Sequence, residues 1–131
     1  PNDLVEAREP QTTSVGFVGA LVNALKFTFA DAMANQFGNY LCQKIIEVAS
    51  KRDLSLIVHS ILPQATSISM SVHGTRAMQT LVEVLADKIP GMETECSMLV
   101  KELECNILNL STHVNGNHVI QAFLTSFKSS E

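Results

Sequence analysis

The sequence has no tryptophan and only one tyrosine, Tyr40, and it has no surplus of positive charge: 9 Lys and Arg stand against 13 Asp and Glu, a formal net charge of −4. Such a chain cannot bind nucleic acid by broad phosphate neutralisation, although a few cations gathered on one face would still permit a selective contact. There are only three cysteines, Cys42, Cys96 and Cys105, an odd number with no close pairing motif. This excludes a disulfide framework, and a reduced, intracellular protein is expected. Zinc is a poor reading as well, because the Cys-x8-Cys of Cys96 and Cys105 and the His-x4-His of His113 and His118 form no compact ligand set. Long apolar runs are missing. The most apolar stretch, Val15 to Ala34, is interrupted by Asn23, Lys26 and Asp31, too polar for a spanning helix. Asp3, Glu6 and Glu9 precede it where a signal peptide would carry positive charge. The common hydrolase, metalloprotease, nucleotide-loop and dinucleotide fingerprints are absent. His59 and His73 have no carboxylate at a helical spacing suited to general-base work. An enzyme is therefore not expected, nor a cofactor, a metal or a membrane partner.

What is present is repetition. Gly38-Asn39-Tyr40-Leu41-Cys42-Gln43 recurs as Gly74-Thr75-Arg76-Ala77-Met78-Gln79 and as Gly116-Asn117-His118-Val119-Ile120-Gln121, with the glycines 36 and 42 residues apart. That is the period of a helical repeat array. Apolar residues recur at helical spacing on either side of each hexapeptide, and no strand-like alternation of useful length occurs. The reading is an all-α, right-handed solenoid of three-helix units. Residues 1–12 form an extended lead-in, 13–25 the last helix of a preceding unit, and 26–62 and 64–106 two units, with 107–131 an incomplete third. In each unit a short helix runs to a turn made by the glycine, and the longer helix starts after it. Extra residues in the second spacing fall between Lys88 and Asn106, around Pro90-Gly91. Met33, Met70, Met78, Phe123 and Phe127 are expected in the core, and Glu93, Glu95, Glu102 and Glu104 on a solvated edge. A chain that opens in the last helix of one unit and stops before the last helix of another is expected to have apolar end faces, as a piece of a longer solenoid would.

The strictest positions are polar or flat, which packing does not require. On a helix, Asn39 and Gln43 share a face while Tyr40 lies about 100° round. Two neighbouring amides can match a uracil edge, Asn39 facing N3–H and O4 and Gln43 donating to O2. Tyr40 supplies a stacking face, and Arg76 and His118 supply the same through guanidinium and imidazole planes. Asn39, Thr75 and Asn117 also stand where helix caps occur, and each taken singly reads equally well as a cap. Capping does not explain Gln43, Gln79 and Gln121, because a capping box places its Glu or Gln three residues on rather than four.

These hexapeptides, with Phe37 to Glu47 around the first, resemble three consecutive repeats of the Pumilio family of RNA-binding proteins. The order Tyr, Arg, His is similar to that in the second, third and fourth repeats of an eight-repeat Pumilio domain. The resemblance covers about Thr13 to Lys128. It implies a crescent of helical repeats that holds single-stranded mRNA on its concave face, usually in 3′ untranslated regions, and represses translation or promotes decay. The implied RNA-binding residues are Asn39, Tyr40, Gln43, Thr75, Arg76, Gln79, Asn117, His118 and Gln121. Because such domains read RNA antiparallel, the implied trinucleotide is 5′-U-A-U-3′, read by the third, second and first units. Thr75 stands where adenine-reading repeats usually carry Cys or Ser, so its base preference is loose. The residue after the Gln is often basic in the family; Lys44 fits that auxiliary phosphate role, whereas Thr80 and Ala122 do not. Protein effectors on the convex face or on the insertion 88–105, self-association through the end faces, and a cytoplasmic, nuclear or nucleolar location complete the expectations. The rival reading is a helical-repeat scaffold that binds protein and no longer reads RNA.

Overall fold

The computed structural model describes residues 14–127; the expected lead-in over 1–12 and the helix end at Lys128 lie outside them. Among the described residues every regular element is helical. Helix α1 (Ser14–Leu25) is followed by a short–long–long group, α2 (Phe29–Met33), α3 (Gly38–Val48) and α4 (Lys51–Ile61). A second such group comprises α5 (Ala65–Met70), α6 (Gly74–Asp87) and α7 (Glu93–Glu104), and the described residues close with α8 (Ile107–Ser111) and α9 (Gly116–Phe127). α4 stops two residues before Pro63, which sits in a 3-10 turn, Leu62–Gln64, that leads into α5. None of these helices is long and apolar enough to cross a membrane.

The helices follow from apolar spacing. α3 buries Cys42, Ile45 and Ile46, α4 buries Leu54, Ile57, Val58 and Ile61, and α6 buries Ala77, Met78, Leu81, Val82 and Leu85. These sets recur every three and four residues, so each forms one stripe. Ser50 caps α4 by accepting the Asp53 N–H at 3.1 Å. The stripes merge into one core, and α6 packs against both α3 and α9. Each unit thereby covers the apolar stripe of the one before, the construction of a solenoid. It also brings the three repeated hexapeptides onto adjacent helices.

The repeated glycines have a different role from the expected turn. Gly38, Gly74 and Gly116 are the first residues of α3, α6 and α9, and none has a positive φ. A Cβ on Gly38 would lie 2.7 Å from the Ala32 carbonyl oxygen, and one on Gly74 would lie 2.5 Å from that of Ile68. On Gly116 it would meet Leu110 Cδ2 at 2.9 Å and the Leu110 carbonyl oxygen at 3.1 Å. In every unit the obstacle is the residue six positions earlier, in the short helix. Glycine is there so that the short helix can fold tightly against the start of the long one.

Two expectations about the periphery also change. The insertion is not a free loop with a uniformly solvated acidic edge. Lys51 Nζ donates to the Pro90 carbonyl at 2.8 Å, and Ser55 Oγ donates to Glu95 Oε2 at 2.7 Å, which ties the insertion back to α4. Glu95 is buried as a result. Glu93 accepts the Gly91 N–H at 2.7 Å; that bond, its own backbone N–H and Lys51 hold its carboxyl below the usual range. Gly91 itself has φ 128°, which only glycine adopts freely. Met33 and Met78 are core residues, but Met70 is only half-buried. Phe123 and Phe127 are also half-buried, stacked at 6.0 Å on an apolar face shared with Ile89, Val100 and Leu124.

The cysteines are free, with Cys42 and Cys96 buried and Cys105 exposed. Burial pushes the Cys42 thiol up to about 12. Burial, reinforced by the charges of Glu95 and Glu93, pushes Cys96 up to about 11. Since the thiolate is the reactive form, alkylation of the folded chain at pH 8 is expected to give one fast thiol, Cys105, and two that react only on unfolding. Mass spectrometry of a timed iodoacetamide reaction checks this, and rapid labelling of Cys42 would contradict the packing described here.

Candidate nucleic-acid interface

The start of each long helix is held by the residue three positions before its glycine. Asn35 Oδ1 accepts the N–H groups of Phe37 at 2.8 Å and Gly38 at 2.9 Å. Ser71 Oγ accepts the Gly74 N–H at 3.1 Å. His113 Nδ1 accepts those of Asn115 at 3.0 Å and Gly116 at 3.1 Å. Those capping residues were missed in the sequence, where the residue after the glycine was weighed for the role. The signal that could have found them was Asn35 and Ser71 at the same register, since both residue types accept backbone N–H groups at helix starts.

Asn39, Thr75 and Asn117 are released from capping and do something else. The Asn39 side chain is fully buried, and its Nδ2 donates to the carbonyls of Asn35 at 2.9 Å and Gln36 at 3.0 Å. Its Oδ1 accepts Gln43 Nε2 at 3.1 Å. Asn117 repeats this: Nδ2 donates to the carbonyls of His113 at 2.6 Å and Val114 at 3.2 Å, while Oδ1 accepts Gln121 Nε2 at 2.6 Å. Thr75 is buried, donates to the Asn115 carbonyl of the next unit at 2.9 Å, and accepts Gln79 Nε2 at 3.2 Å. Asn39, expected to face a uracil edge, is bonded within its own unit on this geometry. Both of its amide hydrogens are spent on backbone, and its remaining contact orients Gln43. The same holds for Asn117 and Gln121. Within each pair the glutamine is the outward partner, and one hydrogen of its NH2 group is left over.

The stacking candidates face outward. Tyr40 is 67% exposed, and Arg76 and His118 are exposed as well. All three line one groove, together with Val72, His73, Thr75, Gln79 and Asn115. The groove runs across α3, α6 and α9, so residues from three units address one continuous surface. Val72 is 62% exposed and adds an apolar patch to the groove wall. Units are joined across the same surface: Asn115 Nδ2 donates to the Met70 carbonyl at 3.0 Å, and Thr80 Oγ1 donates to Gln43 Oε1 at 3.0 Å. Lys44 is exposed and paired with Glu47 at 3.5 Å, a surface contact of small worth. Among the described residues no group of three or more His, Cys, Asp or Glu is placed to hold a metal ion.

The same polar register on three stacked helices is the mark of one repeat type. A sequence profile described as the Pumilio-family RNA binding repeat matches residues 31–62 and 106–131. A Pumilio domain-containing protein of Schizosaccharomyces pombe is 37% identical over 99 residues, 76% of this chain and 14% of that protein. Pumilio homolog 12 of Arabidopsis thaliana is 40% identical over 98 residues, 72% of this chain and 16% of that protein. The chain belongs to the Pumilio family. It spans about a seventh of the length of these relatives. The fold agrees: the structure of a Puf4 double mutant bound to a Cox17 RNA 3′ UTR recognition sequence superposes with a TM-score of 0.77 at 31% identity, over 86% of this chain and 36% of that one. The RNA-binding domain of yeast Puf5p bound to SMX2 RNA gives 0.71 at 28% identity, over 84% of this chain and 31% of that one. The unit carrying the insertion falls between the two stretches that the profile matches, yet it repeats the Pumilio geometry of its neighbours.

Proposed function

We propose that this Pumilio-family chain binds single-stranded RNA selectively along the groove of α3, α6 and α9 and serves post-transcriptional control of U/A-rich messages. The observation that carries the reading is the exposure of Tyr40, Arg76 and His118 in one groove, each on a helix whose glutamine is held by Asn39, Thr75 or Asn117. A single strand laid along it stacks its bases between the flat side chains, and each base edge meets the free donor of Gln43, Gln79 or Gln121. By the family's antiparallel order the strand reads 5′-U-A-U-3′ from the third unit to the first. Asn39 and Asn117 act by fixing the glutamines. Thr75 offers no outward group, since its hydroxyl is committed to Asn115 and Gln79, so the middle base is the least restricted. Repression or decay of the bound message would then depend on partners recruited outside this groove.

Fluorescence anisotropy with a labelled U/A-rich strand and a poly-C control, at two salt concentrations, tests the proposal. The wild type is expected to prefer the U-containing strand with a shallow salt dependence, because few cations border the groove. Asn39→Ala/Gln43→Ala is expected to abolish the preference. Equal, vanishing affinity for both strands, unchanged by the substitution, would leave the protein-binding scaffold.

A further inference from the structure

The helices α1, α4 and α7 share one register and pack on one another through one pair of positions. Gly19 of α1 faces Asp53 of α4, where a Cβ would lie 3.6 Å from Oδ2. One unit on, Ser55 of α4 donates to Glu95 of α7 at 2.7 Å. The next residue in that row is Ser97. It is exposed in an open groove between α7 and α9, whose walls include Val100, Phe123 and Leu124. The register marks this groove as a packing surface. Val58, the counterpart of Val100, is fully buried, as are Ile46 and Val82, the counterparts of Leu124. Val100 itself is 43% exposed and Leu124 68%. On the opposite side of the molecule, α1 has no charged side chain, yet its Phe17 is 63% exposed, and Ala20 and Ala24 are exposed with it. Those three have the helical spacing of one stripe, and Phe17 stands where α4 has Asp53 and α7 has Glu95. Leu41 and Val48 of α3 are also exposed, although Ala77 and Val119, the counterparts of Leu41, are fully buried.

We propose that this chain associates head to tail, α1 of a second copy lying in the α7–α9 groove of the first. Phe17 of the second copy then takes the place on Ser97 that Glu95 takes on Ser55. A second copy fits the groove because α1 belongs to the row of helices that already packs in this way, α1 on α4 and α4 on α7. An uncharged apolar stripe meets an apolar floor. α3 of the second copy follows α9 as α9 follows α6, so Leu41 and Val48 cover Leu124. The contact is heterologous: each copy gives one face and receives on the other, so two copies do not close it. The proposal does not rest on the RNA reading, and it carries the groove of α3, α6 and α9 on from copy to copy.

Sedimentation velocity of the full chain over a wide range of concentration tests this, with Phe17→Glu to block α1 and Leu124→Glu to block the groove. Both positions are exposed, so circular dichroism and unfolding midpoints are expected to match wild type. Ala20→Glu and Val100→Glu form a second pair on the same two faces, used if either of the first pair is destabilised. The average mass of the wild type is expected to rise with concentration past that of a dimer, while each variant alone stays at monomer mass. An equimolar mixture of the two variants is expected to form a dimer and stop there, since one keeps an open groove and the other an open α1. A wild type that stays monomeric at every concentration overturns the proposal. Association of either variant by itself, or a mixture that stays monomeric, overturns it too. None of these outcomes bears on RNA binding by a single copy.

Discussion

Gly74→Ala is expected to destabilise the protein by about 3 kcal/mol, the upper part of the range for overpacking a well-filled site. The new methyl group would stand 2.5 Å from the Ile68 carbonyl oxygen and 2.9 Å from Ile68 Cγ2. The first of these is backbone, which cannot swing aside as a flexible side chain could. Relief requires α5 to move away from the start of α6, and α6 lies between α3 and α9 in the packing. The strain therefore reaches three units. Gly19→Ala is the control, since its Cβ would meet the Asp53 carboxylate oxygens at an ordinary 3.6 and 3.8 Å. Inside α1 that change is expected to be neutral or to stabilise by about 0.5–1 kcal/mol, because alanine loses less backbone entropy than glycine. Urea unfolding of the two variants beside wild type measures both. Similar midpoints for Gly74→Ala and Gly19→Ala would contradict the close approach of the short and long helices.

The second large effect falls on binding. Tyr40→Ala/Arg76→Ala is expected to weaken the U/A-rich strand by about 3 kcal/mol, roughly a hundredfold, since base stacking on a side chain is worth about 1–3 kcal/mol per base. Both residues are exposed and neither belongs to the buried core. The unfolding midpoint should therefore stay within about 0.5 kcal/mol of wild type, as is usual for surface substitutions. This separation of affinity from stability distinguishes a ligand-facing role from a structural one. A double variant that binds RNA as tightly as wild type would remove stacking from the account.

Much of this was legible in the sequence because the repeat is polar where packing is indifferent. Three hexapeptides with Gln four residues after Asn or Thr gave the period, the helix and the face. Tyr40, Arg76 and His118 were recognisable as a set because a flat side chain recurs in each unit at an otherwise free position. The division of labour within each pair was not legible. Asn39 and Gln43 look equivalent as amides on one helix face, and only the path of the chain before Gly38 places two carbonyls against Asn39. Thr80 read as the loss of a basic residue, because its partner lies in a different unit 37 positions earlier. The glycines were assigned the right importance for the wrong reason: the contact that demands them is with a residue of the short helix, and a sequence shows φ preferences more readily than close approaches. Glu95 was assigned to solvent for the same cause, its partner Ser55 being 40 positions away.

The most direct test is a nuclear magnetic resonance titration of the labelled chain with a short strand centred on 5′-U-A-U-3′, with oligo-C as control. The account predicts shifts concentrated on Tyr40, Arg76 and His118 and on the side-chain amides of Gln43, Gln79 and Gln121, with oligo-C producing much smaller changes. Shifts confined instead to the apolar face of Val100, Phe123 and Leu124, or identical shifts with both strands, would contradict it.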